Sequence, residues 1–362
     1  MRVALLLPTL EIGGVERMFA NLANGLHQCG VEVDLVVGRA GGDLGAVLEN
    51  DIQVFDLGSN HMTRSVPGVA KYLHARKPDA IIAGMTHCTA AAVAARSITR
   101  QKTKIIATEH STMSQVVANT AGLKYSLMPF WGQWALISAD SIVAVSNGVA
   151  DDLSARTGIL RERFRVIYNP VITDALYSAA KATVRHPWLQ DGQPPVILAV
   201  GRLDKSKDFP MLVRAFSVVR KCRAARLMIL GEGPDRSRIE KAVDEARLAL
   251  DVALPGLEQN PYKFMNHAAV FAFSSQWEGF GVALVEALAL GVPVVSTNCT
   301  YGPAEILCDG KFGALVPVGD HEAMAQALLD ALDNPVRNDI SEHLQQFTVR
   351  SVASNYLSVI NN

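Results

Sequence analysis

Short, continuously apolar runs rich in Val and Ile recur along this chain, each followed by a longer stretch with helical spacing. In the first half they are VALLLP (3–8), VEVDLVVG (31–38), IQVFDL (52–57), DAIIAG (79–84), KIIATE (104–109), SIVAVS (141–146) and FRVIYN (164–169), with helix-like segments such as GVERMFANLANGLHQCG between them. Strands that do not alternate apolar with polar residues are buried on both faces, which is the mark of a parallel sheet covered by helices. The stretch SAAKATVRHPWLQDGQPP (178–195) breaks the pattern with Pro, Gly, mixed charge and no period, and reads as a linker. The alternation then restarts with VILAVG (196–201), RLMILG (226–231), VFAFSS (270–275), VPVVST (292–297) and GALVP (313–317). The expectation is an α/β protein of two doubly wound, Rossmann-like domains, residues 1–177 and 190–340, joined by a linker at 178–189 and facing each other across a cleft. LPGLEQNPYKFMNHA (254–268) reads as a loop entering a helix, and the tail SEHLQQFTVRSVASNYLSVINN as helical.

Composition narrows the function classes. The 362 residues are 49% hydrophobic and 19% charged, enough to fill two cores. Lys and Arg (34) nearly balance Asp and Glu (35), so nucleic acid is not an expected partner. The cysteines at 29, 88, 222, 299 and 308 are odd in number, scattered and without a CxxC or Cys/His spacing, as in a reduced cytoplasmic protein. The opening MRVALLLP is too short in its apolar part for a signal peptide and reads as a first strand. No stretch supplies 18 uninterrupted apolar residues, so no transmembrane helix is expected.

Doubly wound sheets bind ligands at the carboxyl ends of their strands, and the polar motifs fall there. After the first strand, Gly13 and Gly14 open a helix, where glycine permits close backbone approach and the helix start favours an anion or hydroxyl groups. A plain β–α turn accounts for them equally well, and the absence of GxGxxG argues against a nicotinamide cofactor. ATEHSTM puts Glu109, His110 and Ser111 at the end of the fifth strand; His suits proton transfer or hydrogen bonding near neutral pH, although a lone His is more often structural. In LAVGRLDKSKDF, Gly201 ends a strand, Arg202 follows and Lys207 lies five residues on, two cations able to clamp a diphosphate or simply to face solvent. LMILGEGP repeats the arrangement with Gly231, Gly233 and Pro234, for which a tight turn is an adequate account.

The sharpest feature is SSQWEGFGVALVEALALGVPVVST (274–297). Between Gly279 and Thr297 the only charged residue is Glu286, and an unpartnered carboxylate in such a run is costly. The segment reads as a strand, a glycine-rich turn carrying Glu278, and a helix ended by Gly291 with Pro293 beyond. Glu286 then sits about one and a half turns into the helix. The amides of Phe280, Gly281 and Val282 lie at its start, where an anion is favoured. A carboxylate so placed can accept both hydroxyls of a ribose, or it can be one half of a structural ion pair.

Taken in order, GRLDKSKDF, LGEGP, LPGLEQNPY, SSQWEGFGVALVEALALGVPVVST and YGPAEIL resemble the donor-binding half of glycosyltransferase family 4, the retaining, nucleotide-sugar-dependent enzymes of GT-B architecture. The match is dense over about residues 186–320. It is looser in the first half, through Gly13-Gly14, TEHS and VSNGVADDL. The resemblance implies that Arg202 and Lys207, beside Gly201, hold the donor diphosphate and that Glu286 binds the ribose. Glu278, with Gly279, Phe280, Gly281 and Val282, would hold the donor sugar. Pro255, Gly256 and Leu257 would contact the base, His110 the sugar near its 6-position, and Gly13 and Gly14 the donor phosphate and acceptor side. It implies a last helix, about 341–362, packing back on the N-terminal domain.

A UDP-linked hexose or N-acetylhexosamine is the donor this implies, with a glycan or polyprenyl-linked glycan acceptor. No Asp-x-Asp occurs in the sequence, which agrees with a site needing no metal or cofactor. The chain departs from many relatives at Val282, where Asn often follows EGFG, and at Ala304, where some carry Arg. GLKYSLMPFWGQWALIS (122–138) carries Met128, Phe130, Trp131 and Trp134 on an expected helix on the acceptor side, either buried or touching a membrane peripherally. The expected setting is the cytoplasm, at the inner face of the plasma membrane.

Overall fold

A computed structural model describes residues 1–11, 13–42, 45, 47–59, 61–115, 128–334 and 339–362, without the side chains of 128–130. The chain divides into two compact units, Met1–Val171 with Gln345–Asn362, and Ile172–Leu344. Each is a parallel sheet flanked by helices, and together they have the GT-B fold.

In the first unit β1 (Arg2–Thr9), β2 (Glu32–Arg39), β3 (Gln53–Asp56), β4 (Ala80–Gly84), β5 (Lys104–Glu109), β6 (Ser141–Ala144) and β7 (Phe164–Val166) form a sheet in the order β3-β2-β1-β4-β5-β6-β7. Every pairing is parallel, and the strand order reverses between β1 and β4. The helices are α1 (Gly14–Gln28), α2 (Val66–Arg76), α3 (Thr86–Thr99), α4 (Met128–Ile137) and α5 (Asn147–Thr157). Helix α1 buries Met18, Phe19, Leu22, Ala23 and Leu26, an apolar stripe at three- and four-residue spacing, against the sheet.

In the second unit β8 (Val196–Val200), β9 (Arg226–Leu230), β10 (Val252–Gly256), β11 (Val270–Phe273), β12 (Val294–Thr297) and β13 (Ala314–Val316) run in the order β10-β9-β8-β11-β12-β13. All are again parallel. The helices here are α6 (Asp174–Ala180), α7 (Phe209–Cys222), α8 (Arg236–Glu245), α9 (Tyr262–Met265), α10 (Val282–Ala289), α11 (Pro303–Ile306), α12 (His321–Asp333) and α13 (Ser341–Leu344). Met211, Leu212, Ala215, Phe216 and Val219 of α7 join Met324, Ala325 and Leu328 of α12 in the core over the sheet.

The chain returns to the first unit with α14 (Val349–Asn361). Thr348 caps this helix through the Ser351 amide, 3.3 Å. Val352, Ala353, Tyr356, Val359 and Ile360 enter the first unit's core, and each large side chain so buried contributes about 1.5–3 kcal/mol. The close approach to α1 requires a residue without a side chain. A Cβ on Gly25 would lie 2.5 Å from Val349 Cγ1 and 3.2 Å from Ala353 Cβ. The Lys104 ammonium donates to the Ile360 carbonyl, 2.8 Å.

Two sequence boundaries differ from expectation. Residues 172–177 and the expected linker 178–189 are part of the second unit. Helix α6 is fastened by Asn260 Nδ2 donating to the Ala179 carbonyl, 2.9 Å, and Trp188 lies under the Arg226 guanidinium, 5.1 Å from its ring centroid. The expected loop at 254–268 begins inside strand β10, whose register shifts between Ala253 and Gly256. Its place at the sheet edge tolerates Pro255, which hid the strand from a pattern reading. Of the aromatic segment 122–138, residues 122–127 lie outside the described residues, as do the side chains of Met128 and Phe130. Trp134 and Ile137 of α4 are about half exposed (51% and 53%), while Ala135 and Leu136 are buried. Among the described residues no helix is long and apolar enough to cross a membrane.

Candidate functional site

The site of the second unit is built on the ends of β8, β9, β10 and β11. Strand β8 runs out at Val200, and Asp204 caps the single 3₁₀ turn Lys205–Lys207 through the Ser206 amide, 2.9 Å. That turn is tied to the segment after β11. Ser274 donates to the Lys207 carbonyl at 2.6 Å, Gln276 N to the Ser206 carbonyl at 2.7 Å, and Gln276 Nε2 to the buried Asp208 carboxylate at 2.9 Å. Lys207 is thereby carried onto Glu278. Its ammonium donates to Glu278 Oε1, the Ser275 hydroxyl donates to the same oxygen at 2.7 Å, and Lys207 Nζ also lies 5.5 Å from the Phe273 ring centroid. The two side chains are 20% and 13% exposed, so the pair is reachable from solvent but only weakly screened by it.

Glu286 faces the same end of the sheet from α10. It is 6% exposed, and the Tyr262 hydroxyl donates to its Oε1 at 2.9 Å. Tyr262 opens α9, after the β10 edge strand, so a side chain 24 positions away partners this carboxylate. Helix α10 starts at Val282 on Gly281, whose φ of +107° suits glycine. The first-turn amides of a helix lack intrahelical acceptors. The loop before α11 packs against this turn so closely that a Cβ on Gly302 would lie 1.8 Å from the Phe280 carbonyl oxygen.

The ends of β8 and β9 are in similar contact. Gly201 N donates to the Leu230 carbonyl at 3.0 Å and Gly231 N to the Gly256 carbonyl at 2.8 Å. A Cβ on Gly231 would stand 1.9 Å from the Gly201 oxygen. Gly256, at φ +98°, ends β10 and the exposed Leu257 follows it, so Gly201, Lys207, Gly256, Leu257, Glu278, Gly279, Phe280 and Gly281 sit at or just after strand ends of one sheet, with Val282 and Glu286 on the helix after β11. Arg202 stands apart: its side chain is 75% exposed, and its ion-pair contact, with Asp204, is long at 4.0 Å. Among the described residues no group of His, Cys, Asp and Glu is placed to hold a metal.

In the first unit, Gly13 caps α1 and Gly14 is its first residue. The space beside Gly13 is taken by a carboxylate, because a Cβ there would meet Glu16 Oε2 at 2.1 Å, whereas Gly14 has open space. Burial raises the Glu16 carboxyl above its ordinary value, opposed by a backbone hydrogen bond. The helix start expected to meet an anion therefore already carries an acid. His110 follows β5 with its ring 5.5 Å from that of Phe19, and burial lowers it to about 4, so it is neutral at physiological pH. Glu109, the residue before it, is 4% exposed, and burial pushes its carboxyl up to about 8.

Sequence reasoning placed Glu278, Glu286 and Lys207 at this end of the sheet, but not Tyr262 or Ser275, which hold the two carboxylates. Both lie inside stretches already singled out, NPYKF and SSQWE, and only long-range packing selects them from their neighbours.

With this geometry in hand, comparison with known proteins is direct. The profile of glycosyl transferases group 1 matches residues 180–347, and that of glycosyltransferase family 4 matches residues 12–175. The chain is 34% identical over 196 residues to N-acetylgalactosamine-N,N'-diacetylbacillosaminyl-diphospho-undecaprenol 4-alpha-N-acetylgalactosaminyltransferase of Campylobacter jejuni, an alignment covering 54% of this chain and 52% of the relative. The chain thus spans about half the length of that curated relative. It is 24% identical to the lipopolysaccharide core biosynthesis glycosyltransferase LpsD of Rhizobium meliloti, over 96% of this chain and 94% of that one. Among solved structures, HepE of Anabaena in complex with UDP-glucose superposes with a TM-score of 0.81 at 18% identity, over 100% of this chain and 99% of that one. The two profiles adjoin along almost the entire chain, and the chain belongs to the glycosyltransferases of family 4.

Proposed function

We propose that the chain is a retaining glycosyltransferase that needs no metal. It moves a hexosyl or N-acetylhexosaminyl group from a UDP-linked sugar to a glycan or polyprenyl-linked glycan acceptor in cell-surface polysaccharide synthesis. The observation that carries this reading is the second unit's strand-end cluster: Lys207 on Glu278, and the buried Glu286 more than one turn into α10. The printed activities of the relatives, a transfer to a diphospho-undecaprenol glycan and a step of lipopolysaccharide core synthesis, support the acceptor class.

In this reading Glu286 accepts the ribose hydroxyls and Glu278 the hydroxyls of the transferred sugar. Lys207 turns from Glu278 to the diphosphate, joined there by Arg202. The bond from the sugar's C1 to the diphosphate oxygen breaks, and negative charge builds on the leaving diphosphate, where fixed cations and helix-start amides act most strongly. The acceptor hydroxyl oxygen bonds to C1 on the same face, and its proton passes to the departing diphosphate. The enzyme works in the cytoplasm at the inner membrane face, where the exposed Trp134 and Ile137 offer a peripheral contact to a lipid-linked acceptor.

Incubation with UDP-glucose, UDP-galactose, their N-acetylamino counterparts and GDP-mannose, with and without EDTA, tests the reading. Release of UDP unaffected by EDTA, with an α-linked product by NMR from an α-linked donor, is the expected result. Binding of UDP-sugars without turnover would instead make the chain a nucleotide-sugar-binding protein, and tight NAD binding without UDP binding would end the proposal. Glu286→Gln is expected to weaken UDP binding about ten- to a hundredfold, the worth of a hydrogen bond to a charged group. A lower melting temperature at unchanged UDP affinity would reduce Glu286 to a structural partner of Tyr262.

A further inference from the structure

Among the described residues, the two side-chain hydrogen bonds that Glu278 accepts end on one oxygen, Oε1. One comes from the Lys207 ammonium, the other from the Ser275 hydroxyl at 2.7 Å. The donors differ in freedom. The ammonium rides on a flexible stem of four carbons and can turn to another acceptor. The hydroxyl of Ser275 stands one carbon from the backbone, and the residue is 1% exposed. That backbone is itself held. Thr297, buried at the end of β12, donates its hydroxyl to the Ser275 carbonyl at 2.6 Å. The preceding residue, the buried Ser274, donates to the Lys207 carbonyl at 2.6 Å. Two adjacent serines after β11 therefore fix the backbone of the cation and the carboxylate that the cation meets.

The difference in freedom matters as soon as an anion competes for Lys207. A phosphate oxygen can draw the ammonium off Glu278, but the Ser275 hydroxyl stays where Thr297 and the chain hold it. Glu278 has little contact with solvent, and a carboxylate so placed is costly to leave without donors. A hydrogen bond to a charged group is among the stronger ones, so the one donor that remains also limits how the carboxylate can turn. Oxygen Oε2 takes neither bond, and a carboxylate oxygen can accept more than one donor. A carboxylate fixed through one oxygen offers the other in a defined direction. That is the condition for telling apart two sugars that differ only in where one hydroxyl points.

We propose that Ser275 is a positioning residue of the donor site: acting through Glu278, it keeps that carboxylate oriented toward the hydroxyls of the transferred sugar while Lys207 engages the diphosphate. This rests on the glycosyl-transfer reading above, which gives the sugar to Glu278 and the diphosphate to Lys207. Ser275 itself touches neither sugar nor phosphate, and no proton moves. Its contribution is the choice between sugars. With the hydroxyl removed, the carboxylate turns about its own stem and holds the sugar less tightly and less selectively.

The test compares the full chain with Ser275→Ala, which removes the hydroxyl, and Thr297→Val, which keeps the volume and removes only the support. Two pairs of donors that differ at the 4-hydroxyl alone are the probes, UDP-glucose with UDP-galactose and their N-acetylamino counterparts. Affinity is read by calorimetry and turnover by UDP release. Wild type is expected to favour one member of a pair. In Ser275→Ala, affinity and kcat/KM for that member fall about tenfold or more, the worth of a hydrogen bond to a charged group, and the preference between epimers shrinks. Thr297→Val shifts both in the same direction by less. Uridine, which carries neither diphosphate nor sugar for Lys207 and Glu278, binds all three alike by NMR titration, so a general loss of structure is told apart from a loss of positioning. An unchanged epimer preference in Ser275→Ala, equal losses for both epimers and uridine, or a wild type indifferent to the 4-hydroxyl overturns the proposal. Failure of wild type to release UDP ends the transferase reading alone, since the affinities still decide the role of Ser275. Failure to bind any of the four donors overturns both.

Discussion

Lys207→Ala is expected to lower kcat for donor turnover about 10²- to 10³-fold, the range seen when one preorganised group facing the developing charge is removed. The residue's position makes the effect specific. Its turn is fixed by three hydrogen bonds, from Ser274, Gln276 N and Gln276 Nε2, so the ammonium is placed by the fold rather than by ligand binding. With the ammonium gone, Glu278, only 13% exposed, keeps Ser275 and loses its cation. Part of the loss therefore arises at Glu278, through a carboxylate less well held for the sugar. Lys207→Arg separates the two contributions, since it keeps the cation but changes its reach. Recovery of donor binding without recovery of kcat places the effect at the leaving group. Unchanged kinetics in Lys207→Ala would remove Lys207 from the diphosphate altogether.

The largest stability effect is expected from Gly231→Ala. The added Cβ would stand 1.9 Å from the Gly201 carbonyl oxygen, at a φ of +141° that a side chain rarely accepts. Relief requires the ends of β8 and β9 to part, which breaks the Gly201 N bond to the Leu230 carbonyl and strains the neighbouring Gly231 N bond to Gly256 of β10. A cost above about 4 kcal/mol is expected, a large part of a domain's whole stability. Thermal unfolding should show the transition of the second unit lowered or lost. Gly14→Ala is the control, since that glycine has open space beside it, and its melting temperature should hold. Equal behaviour of the two variants would contradict the tight strand-end packing.

The buried pair in the first unit gives stability a pH dependence whose signs are opposed. Glu109 keeps its proton in the fold up to about pH 8 but loses it near the ordinary carboxylate value when unfolded. Its contribution is thus full at low pH and is lost as pH rises toward 8. His110, held neutral down to about 4, binds a proton below its ordinary value of 6.5 only when unfolded, so its contribution is lost as pH falls from there toward 4. Glu109→Gln should therefore melt higher than wild type near pH 8, and that gap should close toward pH 4.

Much of this was legible in the sequence because it depends on local pattern. Continuous apolar runs such as Val3–Leu7 and Val270–Phe273 must be buried on both faces, and that alone implies parallel, helix-covered sheets. A lone glutamate in an apolar helix after a glycine-rich turn marked Glu286. Strand β10 was missed because Pro255 and Gly256 interrupt its pattern, and an edge strand accepts such an interruption. The linker was misplaced because Trp188 and Ala179 gain their partners from residues far along the chain.

The sequence by itself determined the two sheets, the order of the strand-end motifs and the charged residue types they carry, since periodicity and turn chemistry are local properties. Only the tertiary structure decided what each carboxylate meets. It gave Glu278 the ammonium of Lys207, gave Glu286 the hydroxyl of Tyr262, and buried Glu109 at the end of β5 beside Thr86. Burial and partnership arise when segments tens of residues apart pack together, and they set the charge of a carboxyl group as firmly as its own chemistry does.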